Sequence, residues 1–470
     1  VADRGPATAS HSRGLGLRLV GDDLEVPCLD GRHRRYVSLD AAASTGALPA
    51  VAERVQELLP WYSSVHRGAG WKSQLSTGAY EEARAAAQAF AGRAGDDDVA
   101  IICRNTTEAI NHLAYRLRLE AGDVVATTVV EHHANLLPWA RLARCRYVEC
   151  GPDGTFGVDE VVAVLETLPR PRLLAVTGAS NVTGWRPPVD ELVDAAHERG
   201  VPVLVDGAQL APHRRLPAGP EYLAWSGHKM YAPFGAGILL GPRASFADGD
   251  PFLAGGGAVD LVDLDEVLWT DPPEREEAGS PNVLGAVALH AAIDELGRIG
   301  WDAVRDHDDA MAARLREGLE RIEGVRLLGV SAGPGCLPVA TFAMEGVPHA
   351  LVAARLSAEH AVGVRHGCFC AHPYLLRLLA IGPAQVREFQ EQVRRGDRRH
   401  IPGAVRASAG LSTTAADIDR FLAGVAAVAG GEPPPVAYEQ DPHTGDYWPV
   451  TDDPAWSSPE RRLGASCARG

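Results

Sequence analysis

The chain has 470 residues, of which 46% are hydrophobic and 23% charged, a composition typical of a globular protein with two or three domains. Its formal net charge of −16 argues against a general nucleic-acid-binding protein, since such proteins are usually basic. No stretch of about 18 or more apolar residues predicts a membrane span, and the polar N-terminus lacks an apolar signal core. We therefore expect a cytosolic protein that binds neither nucleic acid nor membranes.

The pattern of apolar residues divides the chain into four parts. Residues 1–45 predict a loosely structured N-terminal arm with one short strand, "RYVSLD". Across residues 46–285, amphipathic helices alternate with short apolar strands, which predicts an α/β domain with a mostly parallel sheet. Residues 286–430 contain long helical stretches followed by shorter strands, which predicts a smaller α+β domain. Residues 431–470 are rich in proline and acid and predict a tail that is extended, disordered or wrapped on the surface.

Polar residues follow several predicted strands, where ligands bind in an open α/β sheet. Thr106 and Thr107 come after "VAIIC" at the start of a predicted helix, which is a good place for a phosphate. An ordinary helix N-cap is the alternative, and it is the more common meaning of such a pattern alone. Asp206 ends "VPVLVD", where its carboxylate is suited to a ring nitrogen; a helix cap or a structural salt bridge is the alternative.

Lys229 lies in "SGHKMYAPFGAG" and is one of only two lysines in a chain that otherwise uses arginine. A neutral lysine can form a Schiff base with a carbonyl, which a guanidinium cannot do. The apolar, glycine-rich surroundings predict burial and a lowered pKa for this amine. Ser226 and His228 flank it and are candidates for holding a phosphate. The alternative is a solvated surface amine.

Two further strand ends carry candidate groups. His132 and His133 follow "DVVATTVV", and one of them is suited to lie on an aromatic cofactor or to transfer protons. A cap or a surface feature is the alternative for this pair. Asn181 follows "RLLAVTG" at the same predicted edge. A phosphate site, a carboxylate for a ring nitrogen and a Schiff-base lysine, in order along one sheet, are what pyridoxal 5′-phosphate (PLP) requires.

These motifs make the chain resemble the class V aminotransferase-fold enzymes, which are PLP enzymes of fold type I. Within that group it resembles the cysteine desulfurase/selenocysteine lyase family. The resemblance runs from "YVSLDAAAS" near residue 36 to the helix that ends near residue 430. It rests on the following stretches: "HRG" at 66–68, "RNTTEAIN", "EHHANLLPW", "SNVTG", "DGAQ", "SGHKMYAPFGAG", "EAGSPN", "VRHGCFCAHP" and "VRAS".

The resemblance implies a role for each matching position. Lys229 would carry PLP, Asp206 would pair with its ring nitrogen, Gln209 would bind its ring hydroxyl, and His132 would stack on the ring and help to move protons. The phosphate would be held by Thr106, Thr107, Ser226 and His228. The substrate carboxylate would be held by Asn181, Arg406 and Arg365. Ser280 would reach the phosphate of a neighbouring subunit's cofactor, which implies a homodimer.

Cys370 stands at the family's catalytic cysteine, whose thiolate would take sulfur from L-cysteine to give alanine and a persulfide. Arg365 and His366 are close enough in sequence to assist it. Cys368 stands where the family usually has histidine, and it is a candidate to resolve a persulfide, to form a disulfide with Cys370 or to pack. Half of a zinc site is a further alternative, although no partner ligands are evident.

Three functional hypotheses follow. The first is a cysteine desulfurase or selenocysteine lyase that uses Cys370. The second is a PLP-dependent C–S lyase, epimerase or aminotransferase acting on a specialised amino-acid-like substrate. The third is a non-catalytic sulfur carrier. The arginine-rich "VRRGDRRHIPGAVR" is typical of a solvated face, and contact with a sulfur-acceptor protein is its alternative role.

Overall fold

The structure is a computed structural model that describes residues 15–66, 68–330 and 335–456. Residues 1–14 of the predicted arm, residues 457–470 of the predicted tail and Arg67 of the "HRG" motif lie outside the described residues. Within the described part of the chain, no helix combines the length and apolar character that crossing a bilayer requires.

The N-terminal segment is more ordered than the sequence predicts. Strands β1 (Glu25–Pro27) and β2 (His33–Arg35) form an antiparallel hairpin. Strand β3 (Val37–Ser38) pairs in parallel with residues 362–363, far along the chain. Leu39 is fully buried in the same apolar cluster as residues of the C-terminal third. The segment therefore has three short strands where the sequence predicts one, and the last of them joins the arm to the C-terminal part.

A seven-stranded sheet forms the centre of the molecule. Its strands are β4 (Asp98–Cys103), β5 (Val124–Thr128), β6 (Arg144–Val148), β7 (Leu173–Thr177), β8 (Val203–Asp206), β9 (Tyr222–Ser226) and β10 (Gly237–Pro242). They lie in the order β4-β10-β9-β8-β7-β5-β6. Strand β10 alone runs antiparallel to the other six. The predicted α/β fold with a mostly parallel sheet is confirmed. Asp206 lies beside Thr177 and Ala224 in the register, so β7, β8 and β9 end together at one edge.

Helices precede, connect and follow these strands. They are α1 (Pro49–Leu58), α2 (Trp71–Phe90), α3 (Thr106–Arg116), α4 (Leu137–Leu142), α5 (Val158–Leu165), α6 (Val189–His197) and α7 (Ala244–Ala247). Short 3₁₀ segments lie at Leu59–Trp61, His133–Asn135, Gly227–Lys229 and Glu274–Glu276. The helix predicted from "ANLLPWARLAR" is short because Pro138 fits only its first turn, which leaves a 3₁₀ segment before it.

The chain after α7 contains a hairpin, long helices and a second sheet. Its elements are β11 (Val259–Val262), β12 (Val267–Trp269), α8 (Val283–Ile299), α9 (Trp301–Glu320), β13 (Val325–Leu328), β14 (Val339–Met344), α10 (His349–His360), β15 (Val362–Gly363), β16 (Arg365–Gly367), α11 (His372–Leu378), α12 (Pro383–Arg394), β17 (Ala404–Ser408) and α13 (Ala415–Ala429). Strands β13, β14, β17 and β16 form an antiparallel sheet in that order.

The described part of the tail is docked on α10 and on β16 of this second sheet. It forms a hairpin of β18 (Tyr438–Gln440) and β19 (Tyr447–Pro449). The Tyr438 hydroxyl donates to Glu359 Oε1 at 3.0 Å, and Asp446 lies 3.2 Å from His366 of β16. Of the predicted alternatives for the tail, wrapping on the surface describes these residues.

A buried charged network fastens α2 to the segment that precedes α8. Glu277 accepts hydrogen bonds from the Tyr80 hydroxyl at 2.7 Å, from Arg84 at 2.7 and 3.0 Å, and from the backbone of Ile102 at 2.6 Å. Both Arg84 and Glu277 are buried. Arg84 also bonds Glu81, whose side chain is 40% exposed. The buried partner therefore carries most of the stabilisation.

We predict that Glu277→Ala destabilises the fold by about 3–5 kcal/mol, because it leaves the Arg84 charge buried without its main partner. The measurement is the urea midpoint of the variant against the parent chain. Glu81→Ala is the matched control, since it removes a partner of the same arginine from the exposed side, and it should cost about 1 kcal/mol or less. Equal losses in the two variants would contradict this assignment.

Candidate active site

A cavity of about 530 Å³ lies at the carboxyl ends of the strands of the large sheet. Its size is that of a typical small-molecule site. The predicted site residues that line it are Thr106, Thr107, His132, Asn181, Asp206, Gln209, Ser226, His228, Lys229, Arg365, Cys370 and Arg406. The structure thus brings together all the residues predicted to bind the cofactor or the substrate or to act in catalysis, except Ser280, although they come from distant parts of the chain.

One end of the cavity is built around the first turn of α3. Asn105 caps this helix, accepting from the Glu108 N–H at 3.0 Å. The Ser226 hydroxyl accepts from the Thr106 N–H at 2.7 Å and lies 2.6 Å from the Thr106 hydroxyl. Hydroxyl groups and backbone N–H groups therefore converge at a helix N-terminus, an arrangement that suits a phosphate.

Lys229 lies in the 3₁₀ segment directly after β9 and faces Asp206 at the end of β8. Burial lowers the pKa of its amine from 10.5 to about 8, and the Asp206 carboxylate only partly opposes this change. Burial also raises the pKa of Asp206, although the hydrogen bond from the Ala208 N–H and the charge of Lys229 both act to lower it. The amine makes no hydrogen bond with any residue of the described chain. A much larger share of it is therefore neutral near pH 8 than in an ordinary lysine.

Two histidines of the cavity are neutral at physiological pH. Burial, with help from the Lys229 charge, lowers the pKa of His132 to about 3 and that of His228 to about 4. His132 Nδ1 accepts from the Ala134 N–H at 3.0 Å, so its ring proton is assigned to Nε2. His228 Nδ1 lies 3.2 Å from the Ser44 hydroxyl. Each ring can therefore lie against a planar ligand or donate one hydrogen bond without adding charge.

The other end of the cavity carries two arginines that share one carboxylate. Asp40 accepts from Arg406 at 2.9 Å and from Arg365 at 3.1 and 3.2 Å. Arg406 is almost fully buried and also donates to the Asn181 carbonyl at 2.9 Å. Since two guanidinium groups meet a single carboxylate, one positive charge remains available for an acidic ligand.

Cys370 lies in a tight turn at the mouth of the cavity, and its thiol is exposed. The turn is held by Asn181 Nδ2, which donates to the Phe369 carbonyl at 2.7 Å, and by the His133 N–H, which donates to the Cys370 carbonyl at 2.7 Å. The Arg406 guanidinium lies 5.1 Å above the Phe369 ring. The Asn181 amide thus orients the turn, a contact that the predicted carboxylate-binding role does not include.

Several predicted features lie apart from the cavity. Ser280 is exposed, and His366 pairs with Asp446 of the tail. No cluster of metal-ligating residues occurs among the residues described, and the cysteines located by the structure are free thiols.

Sequence reasoning did not assign roles to two acidic residues at the site. Asp40 lies within "YVSLDAAAS", but its pairing with residues more than 300 positions away leaves no local signal. Glu131 is completely buried and accepts from the Thr128 hydroxyl, from Asn135 and from the Thr177 N–H. Burial raises the pKa of Glu131 to about 8. The sequence does offer one signal for Glu131, namely its position directly before His132 and His133.

Comparisons with known proteins agree on one family. The model of the aminotransferase class-V family matches residues 37–421. A protein of Xylella fastidiosa (strain Temecula1) named a probable cysteine desulfurase is 39% identical over 58% of this chain and 68% of its own length. A cysteine desulfurase of Dickeya dadantii is 33% identical over 82% of this chain and 90% of its own length. The apo structure of a cysteine desulfurase from Thermococcus onnurineus has a TM-score of 0.74 and 30% identity, covering 84% of this chain and 95% of that one.

We predict that Lys229 is the amine modified when the chain is treated with pyridoxal and then reduced with borohydride. Labelling should rise with pH through a midpoint near 8, because the lowered pKa supplies neutral amine there. Peptide mass spectrometry identifies the labelled lysine.

Lys72 is a built-in control, because it is exposed on α2 and donates to the Pro60 carbonyl at 2.7 Å, away from the cavity. Lys72→Ala should keep most of the label, and Lys229→Ala should lose it. Label that stays after removal of Lys229 would contradict the assignment.

Proposed function

The chain belongs to the class V aminotransferase family, and on this premise we propose that it is a PLP-dependent cysteine desulfurase that converts L-cysteine to alanine and leaves a persulfide on Cys370. Class V aminotransferases and cysteine desulfurases generally depend on PLP. The observation that carries the proposal is that an exposed thiol and a partly buried amine of lowered pKa line the same cavity. These are the nucleophile and the carbonyl-binding group that this reaction needs.

The groups of the cavity fit the parts of PLP. Lys229 offers an amine without a hydrogen-bonding partner in the described chain, and Asp206 offers a carboxylate for the ring nitrogen. Gln209 uses its amide N–H on the Ala42 carbonyl at 2.7 Å, which leaves its oxygen for the ring hydroxyl. His132 would lie against the ring. The phosphate would be held by Thr106, Thr107, Ser226 and His228.

The substrate would be held by its carboxylate at the paired arginines. Arg406 is fixed by Asp40 and by the Asn181 carbonyl, and Arg365 is the more exposed member of the pair. Their surplus positive charge attracts the α-carboxylate of an amino acid and orients it. The amino group then faces the Lys229 side of the cavity and the sulfur faces Cys370.

PLP, when bound, withdraws electrons from an amino acid joined to its aldehyde carbon and so weakens the bonds at the α and β carbons. Lys229 takes up and returns protons near the substrate, since the lowered pKa makes both of its forms available around neutral pH. The neutral ring of His132 supplies an N–H donor beside it.

Cys370 would carry out the sulfur transfer itself. Its thiolate attacks the substrate sulfur, and a new S–S bond forms while the Cβ–S bond breaks. The electron pair of the broken bond stays with the substrate carbon, which takes up a proton to become the methyl group of alanine. The products are alanine and a Cys370 persulfide, and the exposure of this residue leaves the persulfide open to an acceptor thiol.

A second copy of the chain would complete the site. Ser280 is exposed and does not line the cavity of its own chain, which leaves it free to contact a neighbouring subunit. Beside it, the Gly279 N–H donates to the Gly256 carbonyl at 2.7 Å, which connects this loop to the hairpin β11–β12. That hairpin exposes Leu261 and Leu264, the latter completely. Exposed leucines on a hairpin are typical of a surface that another protein covers, and we propose a homodimer here.

We predict that Cys370→Ser lowers alanine formation from L-cysteine by about a hundredfold or more, because it removes the sulfur nucleophile. The loaded variant should keep the visible absorbance of bound PLP, since Cys370 does not hold the cofactor. Cys145→Ser is the control, as this half-buried thiol lies on β6, outside the cavity.

Full alanine formation by Cys370→Ser would redirect the proposal to a C–S lyase, epimerase or aminotransferase of this fold. Any PLP-dependent turnover would exclude a non-catalytic sulfur carrier.

We also predict that Leu264→Asp shifts the protein from dimer to monomer in light scattering and weakens its retention of PLP. The reason is that the charge opposes burial of the hairpin and so withdraws the partner's Ser280 from the cofactor. Leu168→Asp is the control, since Leu168 is 84% exposed on a loop of another region. An unchanged dimer in Leu264→Asp would exclude this hairpin as the interface.

A further inference from the structure

The turn that carries Cys370 contains a second free thiol. The Ala371 N–H donates to the Cys368 carbonyl at 2.9 Å, and Phe369 and Cys370 both have a φ of 55°. Positive φ at both central residues, with this hydrogen bond, is the pattern of a type I′ turn. Cys368 is its first residue and Cys370 its third.

The two thiols of this turn have different surroundings. Cys370 is exposed and lines the cavity, whereas Cys368 is half-buried, packs against the main apolar core and is not among the cavity-lining residues. A substrate held in the cavity therefore meets Cys370 alone. Sulfur from a substrate can therefore reach Cys368 only by way of Cys370.

Cys368 lies within reach of the Cys370 sulfur. The Cα atoms of residues two apart are roughly 7 Å apart in an extended chain, and a turn brings them closer. The shorter distance is one that a disulfide can span. The backbone N–H groups of Cys370 and Ala371 are near enough to the Cys368 sulfur to lower its pKa, although burial dominates and raises it. Cys368 is therefore a protonated thiol at rest, and the same N–H groups favour its anion when it reacts.

We propose that Cys368 is a resolving thiol that attacks the Cys370 persulfide and releases its outer sulfur as hydrosulfide. This inference rests on the proposed desulfurase function. The Cys368 thiolate forms a new bond to the Cys370 sulfur. The bond between that sulfur and the outer sulfur breaks, and its electron pair leaves with hydrosulfide, which takes up the proton. The product is a Cys368–Cys370 disulfide, and a dithiol reductant must reopen it before the next turnover.

The test is a single turnover of the PLP-loaded chain with one equivalent of L-cysteine and no reductant. Cleavage after Arg365 and Arg377 places both thiols in one tryptic peptide. In the parent chain, we expect hydrosulfide to match alanine and the peptide to lose two hydrogens. In Cys368→Ser and Cys368→Ala, the peptide should gain one sulfur, and hydrosulfide per alanine should fall by about tenfold or more. Cys150→Ser is the matched control, a half-buried thiol that should behave as the parent does.

A second arm separates this inference from the desulfurase proposal. Inorganic polysulfide supplies the persulfide directly to the chain, without PLP or L-cysteine. After the excess polysulfide is removed, formation of the internal disulfide and further release of hydrosulfide by the parent chain, but not by the Cys368 variants, would support the resolving role even if no alanine had formed. A parent peptide that keeps its added sulfur in both arms, with Cys368 free, would overturn that role, and alanine release would then still uphold the desulfurase.

Discussion

The buried guanidinium of Arg406 is the contact on which the rest of the site depends. It lies on β17, donates to Asp40 of the N-terminal segment and to the Asn181 carbonyl after β7, and covers the Phe369 ring of the turn that carries Cys370. Four parts of the chain thus meet at one side chain that cannot lose its charge. A charge buried to this degree is stable only while its partners remain in place. The geometry at the carboxylate-binding end of the cavity is therefore tied to the docking of the second sheet on the first.

Burial is the common cause of the unusual protonation around Lys229, between the two ends of the cavity. It is the largest influence on the pKa of Lys229, His132, His228 and Glu131, and in each it favours the neutral form. The phosphate-binding end depends instead on uncharged donors, namely hydroxyl groups and backbone N–H groups at the start of α3. The cavity thus combines a neutral region around the amine with a cationic region around the arginines, and an amino acid zwitterion can be oriented between them.

The sequence predicts the parts of this site that depend on short-range order. Asp206, Lys229 and Thr106 directly follow strands or begin helices, and parallel strands necessarily end at one edge, so the apolar pattern alone implies that these residues meet. Asp40 could not be found in this way, because its partner Arg406 lies 366 residues along the chain. The predicted strand "RYVSLD" contains β3, but the pairing of β3 with β15 could not be predicted, for the same reason. The antiparallel direction of β10 cannot be predicted from its own residues either, because it follows from long-range pairing with β4 and β9.

The turn at Cys370 shows how such long-range contacts maintain a conformation that its own residues disfavour. A left-handed conformation costs a residue with a side chain about 1–3 kcal/mol, and Phe369 and Cys370 adopt it in succession. The compensating contacts come from outside the turn: the Asn181 amide, the His133 N–H and the guanidinium above the Phe369 ring. Each of them also belongs to the cavity or adjoins it. The free energy that holds the thiol at the mouth of the cavity is therefore supplied by groups that line or adjoin the cavity, so the thiol and the cavity cannot be positioned independently.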